Sequence, residues 1–109
     1  MNCINEMLRI MQGDAYDVGV TVLDTEGKII DESAVLDVEI TVGKISKTYT
    51  GGDVYFAEDE WHFPLTEGES FSLSGFVPFQ VRVKFNSGEV AGISLGSIAV
   101  TVSVSKEEL

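Results

Sequence analysis

His62 is the only histidine in 109 residues, and it stands beside three acids, Glu58, Asp59 and Glu60. Imidazole and carboxylate are both metal ligands, so this is the first place to look for a bound cation. Transition-metal sites draw on several His or Cys side chains, whereas this chain has one of each, far apart. A calcium loop spaces its acids as Asp-x-Asp-x-Asp-Gly, and the run Glu58-Asp59-Glu60 does not. Since Trp61 and Phe63 alternate inward, His62 is expected to be an exposed histidine in a turn-to-strand segment. A second pattern, Gly92-Ile93-Ser94-Leu95-Gly96, matches the Gly-x-Ser-x-Gly of a nucleophile elbow. That elbow sits on a strand-to-helix turn, and its serine needs a histidine base. The residues after Gly96 read instead as the plainest strand in the chain, so a loop or β-bulge is expected there. General acid–base catalysis needs two carboxyls with separated pKa values inside a cleft. Eighteen acids are available, but they fall at outward or turn positions. The sequence therefore predicts no catalytic, cofactor-binding or metal-ligating residue, and a protein that is not an enzyme. One binding surface stays open as an alternative. Trp61, Tyr49, Tyr55 and Phe56 either form an aromatic platform for sugar or peptide, or fill the core.

The charge balance narrows the partners. Eighteen acidic against seven basic residues give a net charge of −11. Nucleic acid is engaged by displacing phosphate counterions with Lys and Arg, and an anionic membrane surface attracts the same residues. Neither partner is expected. Self-repulsion of this size favours solubility and discourages chance pairing of strand edges. No Lys or Arg lies between Lys47 and Arg82, while Asp53, Glu58, Asp59, Glu60, Glu67 and Glu69 do, so a basic partner would meet this stretch. Cys3 is the only cysteine, which rules out an internal disulfide and suits a protein made in a reducing compartment. Met1–Met11 contains Glu6 and Arg9 and does not read as a signal peptide. No segment approaches the ~20 apolar residues that span a bilayer.

The elements that would position these residues are strands. Apolar residues recur with a period of two in four rows: Tyr16, Val18, Val20, Val22; Leu36, Val38, Ile40, Val42; Phe79, Val81, Val83, Phe85; and Ile98, Val100, Val102, Val104. That period places one row on the buried face of a strand. The reading along the chain gives an opening strand at Met7–Gln12 (or a short helix over Cys3–Met11), then strands at Ala15–Leu23 and Val35–Val42. Ile45–Thr50 follows as an edge strand guarded by Lys47. Val54–Ala57 and Trp61–Leu65 flank the acidic turn, and Pro64 marks an edge or a strand end. Thr66 and Glu69 have capping-box spacing, which predicts a single helical turn within Thr66–Ser74. Val77–Phe85, Glu89–Ile93 and Ile98–Ser105 complete the set, with Ser94–Ser97 as loop or bulge and Lys106–Leu109 as a tail. About eight short strands separated by regular turn signals predict one all-β domain over residues 1–109. An antiparallel two-sheet sandwich of immunoglobulin-like type is favoured over a small barrel.

Several stretches resemble small structural proteins of phages and prophages of Gram-positive bacteria. They are Phe63–Phe71, the strand Val77–Phe85 with its Gln80-Val81-Arg82 centre, the hairpin Ser87-Gly88-Glu89-Val90, and the tail Ser105–Leu109. Gln12–Val18 followed by Asp24-Thr25-Glu26-Gly27 is similar to the start of the N-terminal domain of baseplate upper proteins. Gly68 departs from the acidic residue usual in the turn, which bears on the helical turn and not on the fold. The resemblance implies a tail- or baseplate-associated virion protein with no catalytic residues. It would be made in the bacterial cytoplasm, released by lysis, and partnered by other phage structural proteins or by copies of itself. Exposed strand edges such as Ile45–Thr50 are its expected contact surfaces. A carbohydrate- or cell-wall-binding module using the aromatics near Trp61 is the alternative.

Overall fold

An apolar row on one face of a strand is stable only when a second apolar row covers it. In a computed structural model that describes residues 1–4 and 9–102, the four rows do this by packing two sheets face to face. Nine strands lie among the described residues: β1 (Asn2–Ile4), β2 (Arg9–Met11), β3 (Tyr16–Leu23), β4 (Val35–Val42), β5 (Ile45–Thr48), β6 (Tyr55–Ala57), β7 (Glu60–Leu65), β8 (Gly75–Phe85) and β9 (Val90–Thr101). A 3-10 turn at Glu32–Ala34 and a five-residue helix α1 (Glu67–Phe71) are the helical pieces among those residues. One sheet has the order β1-β3-β7-β6 and the other β2-β9-β8-β4-β5. Pairing is antiparallel except between β2 and β9, which run parallel with Arg9 opposite Ala99 and Met11 opposite Thr101. In immunoglobulin lettering these orders are A-B-E-D and A′-G-F-C-C′, so the sandwich follows that plan. It does so without the inter-sheet disulfide, and its buried tryptophan sits on β7 rather than on the strand that corresponds to C.

The core is hydrocarbon contributed by both inner faces. Val18, Val20, Val22, Trp61 and Phe63 come from the first sheet, and Val38, Ile40, Val42, Val81 and Val83 from the second; all are fully buried. Trp61 meets Tyr49 edge-on at 5.2 Å and Phe56 at 5.1 Å between ring centroids. Its indole N–H donates to the carbonyl of Ile30 at 3.0 Å, so the one polar atom of the ring is satisfied inside the core. Helix α1 is held as the capping box requires. Thr66 Oγ1 accepts from the Glu69 N–H at 3.2 Å, and Glu69 Oε1 accepts from the Thr66 N–H at 2.9 Å.

Several details depart from the sequence reading. Leu36 does not belong to the buried row. The β4–β8 register steps from Val35 opposite Phe85 to Asp37 opposite Lys84, and this bulge turns Val35 inward and leaves Leu36 48% exposed. Val102 is 53% exposed because β9 ends at Thr101, and Val104 lies outside the described residues. The expected segments Glu89–Ile93 and Ile98–Ser105 are one strand. The register passes from Gln80 opposite Ser94 to Phe79 opposite Gly96, and Gly96 absorbs the bulge with φ +89°. A strand at Asn2–Ile4 replaces the short helix considered for the N-terminal stretch. The opening strand begins at Arg9 among the described residues; Met7 and Leu8 lie outside them, as does the tail Lys106–Leu109. Pro64 is close to the end of β7, as expected, but β7 lies inside its sheet between β3 and β6.

Candidate functional site

Register brings His62 and Asp17 together. Gly19 lies opposite His62 and Asp17 opposite Pro64, so the two outward side chains are diagonal neighbours on the outer face of the first sheet. His62 Nδ1 is 2.9 Å from Asp17 Oδ2, and its Nε2 is 2.9 Å from the carbonyl oxygen of Ala57. Tyr55, opposite His62 on β6, stacks on the imidazole with ring centroids 4.8 Å apart and planes 9° from parallel. The Tyr55 hydroxyl donates to the same Asp17 oxygen at 3.1 Å, and that bond to a carboxylate pushes the phenol above its ordinary value. Glu60 lies over Gly19 so closely that a Cβ there would collide with its carboxylate. Both imidazole nitrogens and one ring face are thus occupied by neighbours. The group acts as a cross-strand pillar on the outer face of the sheet.

Of the acids beside His62, Glu58 and Asp59 do not gather around it. Glu58 and Asp59 form the two-residue hairpin between β6 and β7, with φ of 53° and 64°, and both are exposed. Positive φ at both positions is the type I′ turn that matches strand twist. Among the described residues, no group of three or more His, Cys, Asp or Glu has an arrangement that holds a metal ion. Ser94 is exposed on β9, in the second sheet, whereas His62 faces outward from the first. The two sit on opposite outer faces of the sandwich, so this serine has no histidine beside it.

The aromatic platform does not assemble at the surface. Trp61 is fully buried, Tyr49 and Phe56 pack half-buried against it, and Tyr55 is the exposed one at 42%. The Tyr49 hydroxyl donates to Glu32 Oε2 at 3.1 Å, which raises its pKa. Ile29, Asp31, Glu32, Ser33, Phe56 and Asp59 line an open hollow of about 430 Å³ at that end of the sandwich. Asp31 is held below the usual carboxylate range by the hydroxyl and backbone N–H of Ser33.

Lys47 was expected to guard an edge strand, and β5 is indeed the edge of its sheet. Its ammonium goes further and ties the two sheets together. Nζ donates to the Pro64 carbonyl at 2.6 Å and to Glu69 Oε1 at 2.7 Å, and lies 5.1 Å from the centre of the Phe63 ring. Burial works to raise the Glu69 pKa, but the bonds from Lys47 and from Thr66 outweigh it and hold the carboxyl below its ordinary range. Spacing within one segment could not reveal this contact or the Asp17–Tyr55–His62 group, because each joins residues distant in sequence. Cys3 is half-buried, and that burial pushes its thiol up to about 11 despite the nearby N-terminal ammonium, so it is a thiol at neutral pH. Neither the protein-family models nor the curated proteins contain a match to this chain.

Proposed function

We propose that this chain is a non-enzymatic, phage-derived structural protein, associated with the tail or baseplate, that acts through protein–protein contacts. The observation that carries the reading is the sandwich itself. Its interior is hydrocarbon, the buried polar side-chain atoms among the described residues all have hydrogen-bond partners, and its sheets end in strand edges that can accept another chain. The resemblance of Phe63–Phe71, Val77–Phe85 and Gln12–Val18 to phage and prophage proteins gives those contacts their setting. Synthesis in the bacterial cytoplasm and residence in the virion follow from the same reading. The burial of Trp61 favours contacts of this kind over a carbohydrate module, whose platform would need that ring at the surface.

The test is mass spectrometry of phage particles purified after prophage induction from the bacterium that carries the gene. The chain should be present in fixed proportion to known tail proteins. Particles that assemble and infect without it would overturn the proposal.

A further inference from the structure

Every open strand edge is a row of backbone N–H and C=O groups, and proteins guard such edges with charge, proline or shortness. Among the described residues β1, β2 and β6 span three residues each, and β5 carries Lys47. β9 presents an edge of another kind. β9 is twelve residues long, yet among the described residues β2 covers it only at Ala99–Thr101. Among the described residues no strand pairs with its outer side from Val90 to Ile98. The bond from the Phe85 N–H to the Glu89 carbonyl sets the alternation along the β8–β9 ladder. The N–H and C=O groups of Val90, Gly92 and Ser94 accordingly point away from β8. No charged residue and no proline occur from Val90 to Ser105.

Charge says what can cover this edge. The chain carries −11, so a second copy is repelled over most of its surface. No acid lies between Glu69 and Glu89, and on the outer face Arg82 and Lys84 stand opposite Glu39 and Asp37 of β4, with Arg82 3.8 Å from Glu39, so the face beside this edge is close to neutral. A basic partner would be drawn to the acidic remainder, whereas a like-charged copy meets least resistance here. We propose that the free edge of β9, Val90–Ser94, pairs antiparallel with the same edge of a second copy of this chain about a two-fold axis at Gly92. This rests on the structural reading above and names one of its partners.

In that register Val90 faces Ser94 of the second copy and the two Gly92 residues face one another. Glycine is the residue that allows backbones to approach closely at such a point. Arg82 stands three inter-strand spacings from its symmetry mate, ~14 Å, and Lys84, offset along the strand as well, ~20 Å, both beyond the ~8 Å Debye length at physiological salt. The outward side chains at the seam, Val90 and Ser94, are small and uncharged.

Light scattering across a dilution series of the wild-type chain should give twice the single-chain mass at high concentration, falling to one chain on dilution. V90K/S94K places lysine opposite lysine and should give the single-chain mass at every concentration; V90E/S94E should do the same. An equimolar mixture of the two should return to the two-chain mass, while S46K on the β5 edge leaves the wild-type behaviour unchanged. Near-UV circular dichroism from Trp61 checks that each variant is folded, and the wild-type dilution series decides the matter if the double variants are not. A single-chain mass for wild type at all concentrations, a V90K/S94K protein that still pairs, or a mixture that stays monomeric overturns the proposal. A monomeric chain still found in purified particles would sink the seam and leave the structural role standing. A paired chain absent from particles would do the reverse.

Discussion

The Lys47–Glu69 contact gives the sharpest stability prediction, because it joins an edge strand of one sheet to the helix that follows the other. The side chains of Lys47 and Glu69 are 13% and 29% exposed. The pair therefore belongs between exposed ion pairs, at about 0–1 kcal/mol, and buried pairs, where removing one partner costs about 3–5 kcal/mol. Glu69→Gln keeps an acceptor for the Thr66 N–H but strips the ammonium of its charged partner, a loss of about 2 kcal/mol on that scale. Lys47→Met removes the ammonium from the Phe63 ring, takes its donor from the Pro64 carbonyl and leaves Glu69 with the Thr66 N–H alone, again about 2 kcal/mol. Independent effects would sum to about 4 kcal/mol; direct contact predicts a coupling of about 1.5 kcal/mol, so the double variant should lose about 2.5 kcal/mol. Urea unfolding read by the fluorescence of Trp61, the single tryptophan and fully buried, measures all four proteins. The sign with pH is also set. A carboxyl whose folded pKa is depressed contributes fully above its unfolded value of about 4.3 and loses that contribution as pH falls through the folded value. The gap between wild type and Glu69→Gln should shrink as pH is lowered from about 5 to about 3. Losses that add within ~0.5 kcal/mol, or a gap that widens on acidification, would refute the reasoning.

Three further outcomes follow from contacts elsewhere in the sandwich. Ser70 is fully buried and its hydroxyl donates to the Asp14 carbonyl at 2.6 Å while accepting from the Gly13 N–H at 3.0 Å; Ser70→Ala should cost about 2 kcal/mol by urea denaturation. Glu58 and Asp59 hold positive φ in the β6–β7 hairpin, so E58N/D59G should raise stability by about 1 kcal/mol and the thermal midpoint by a few degrees. The bulge in β4 separates neighbours that look alike in sequence: Leu36→Ser should change stability by no more than about 0.5 kcal/mol, and Val38→Ala should cost about 2 kcal/mol, both by chemical denaturation.

The fold was legible wherever a strand has one wet and one dry face, because burial then imprints period two on the residues. Tyr16–Val22, Val38–Val42 and Phe79–Phe85 show this, and the capping box at Thr66 and Glu69 was equally plain, since its chemistry is local. Leu36 misled because a bulge shifts register without leaving a glycine or proline to mark it. The split of β9 into two expected strands has the same cause at Gly96, where a glycine suits a loop as well as a bulge and the structure has the bulge. Asn2–Ile4 carries no alternation long enough to register, and it is a strand only because β3 offers it an edge. The cross-strand groups, Asp17 with Tyr55 and His62 and Lys47 with Glu69, depend on which strands become neighbours, and a single chain does not write that down. The charge-free run after Glu89 takes its meaning from the pairing, because among the described residues β2 meets β9 only at Ala99–Thr101.

Amide hydrogen exchange of the intact chain at low and high protein concentration tests most directly whether contacts are made through strand edges. Protection should grow with concentration at Val90, Gly92 and Ser94, while the amides around His62 and around the hollow at Ile29 and Phe56 stay unchanged. Protection that grows at those two places instead, or nowhere, would contradict the account.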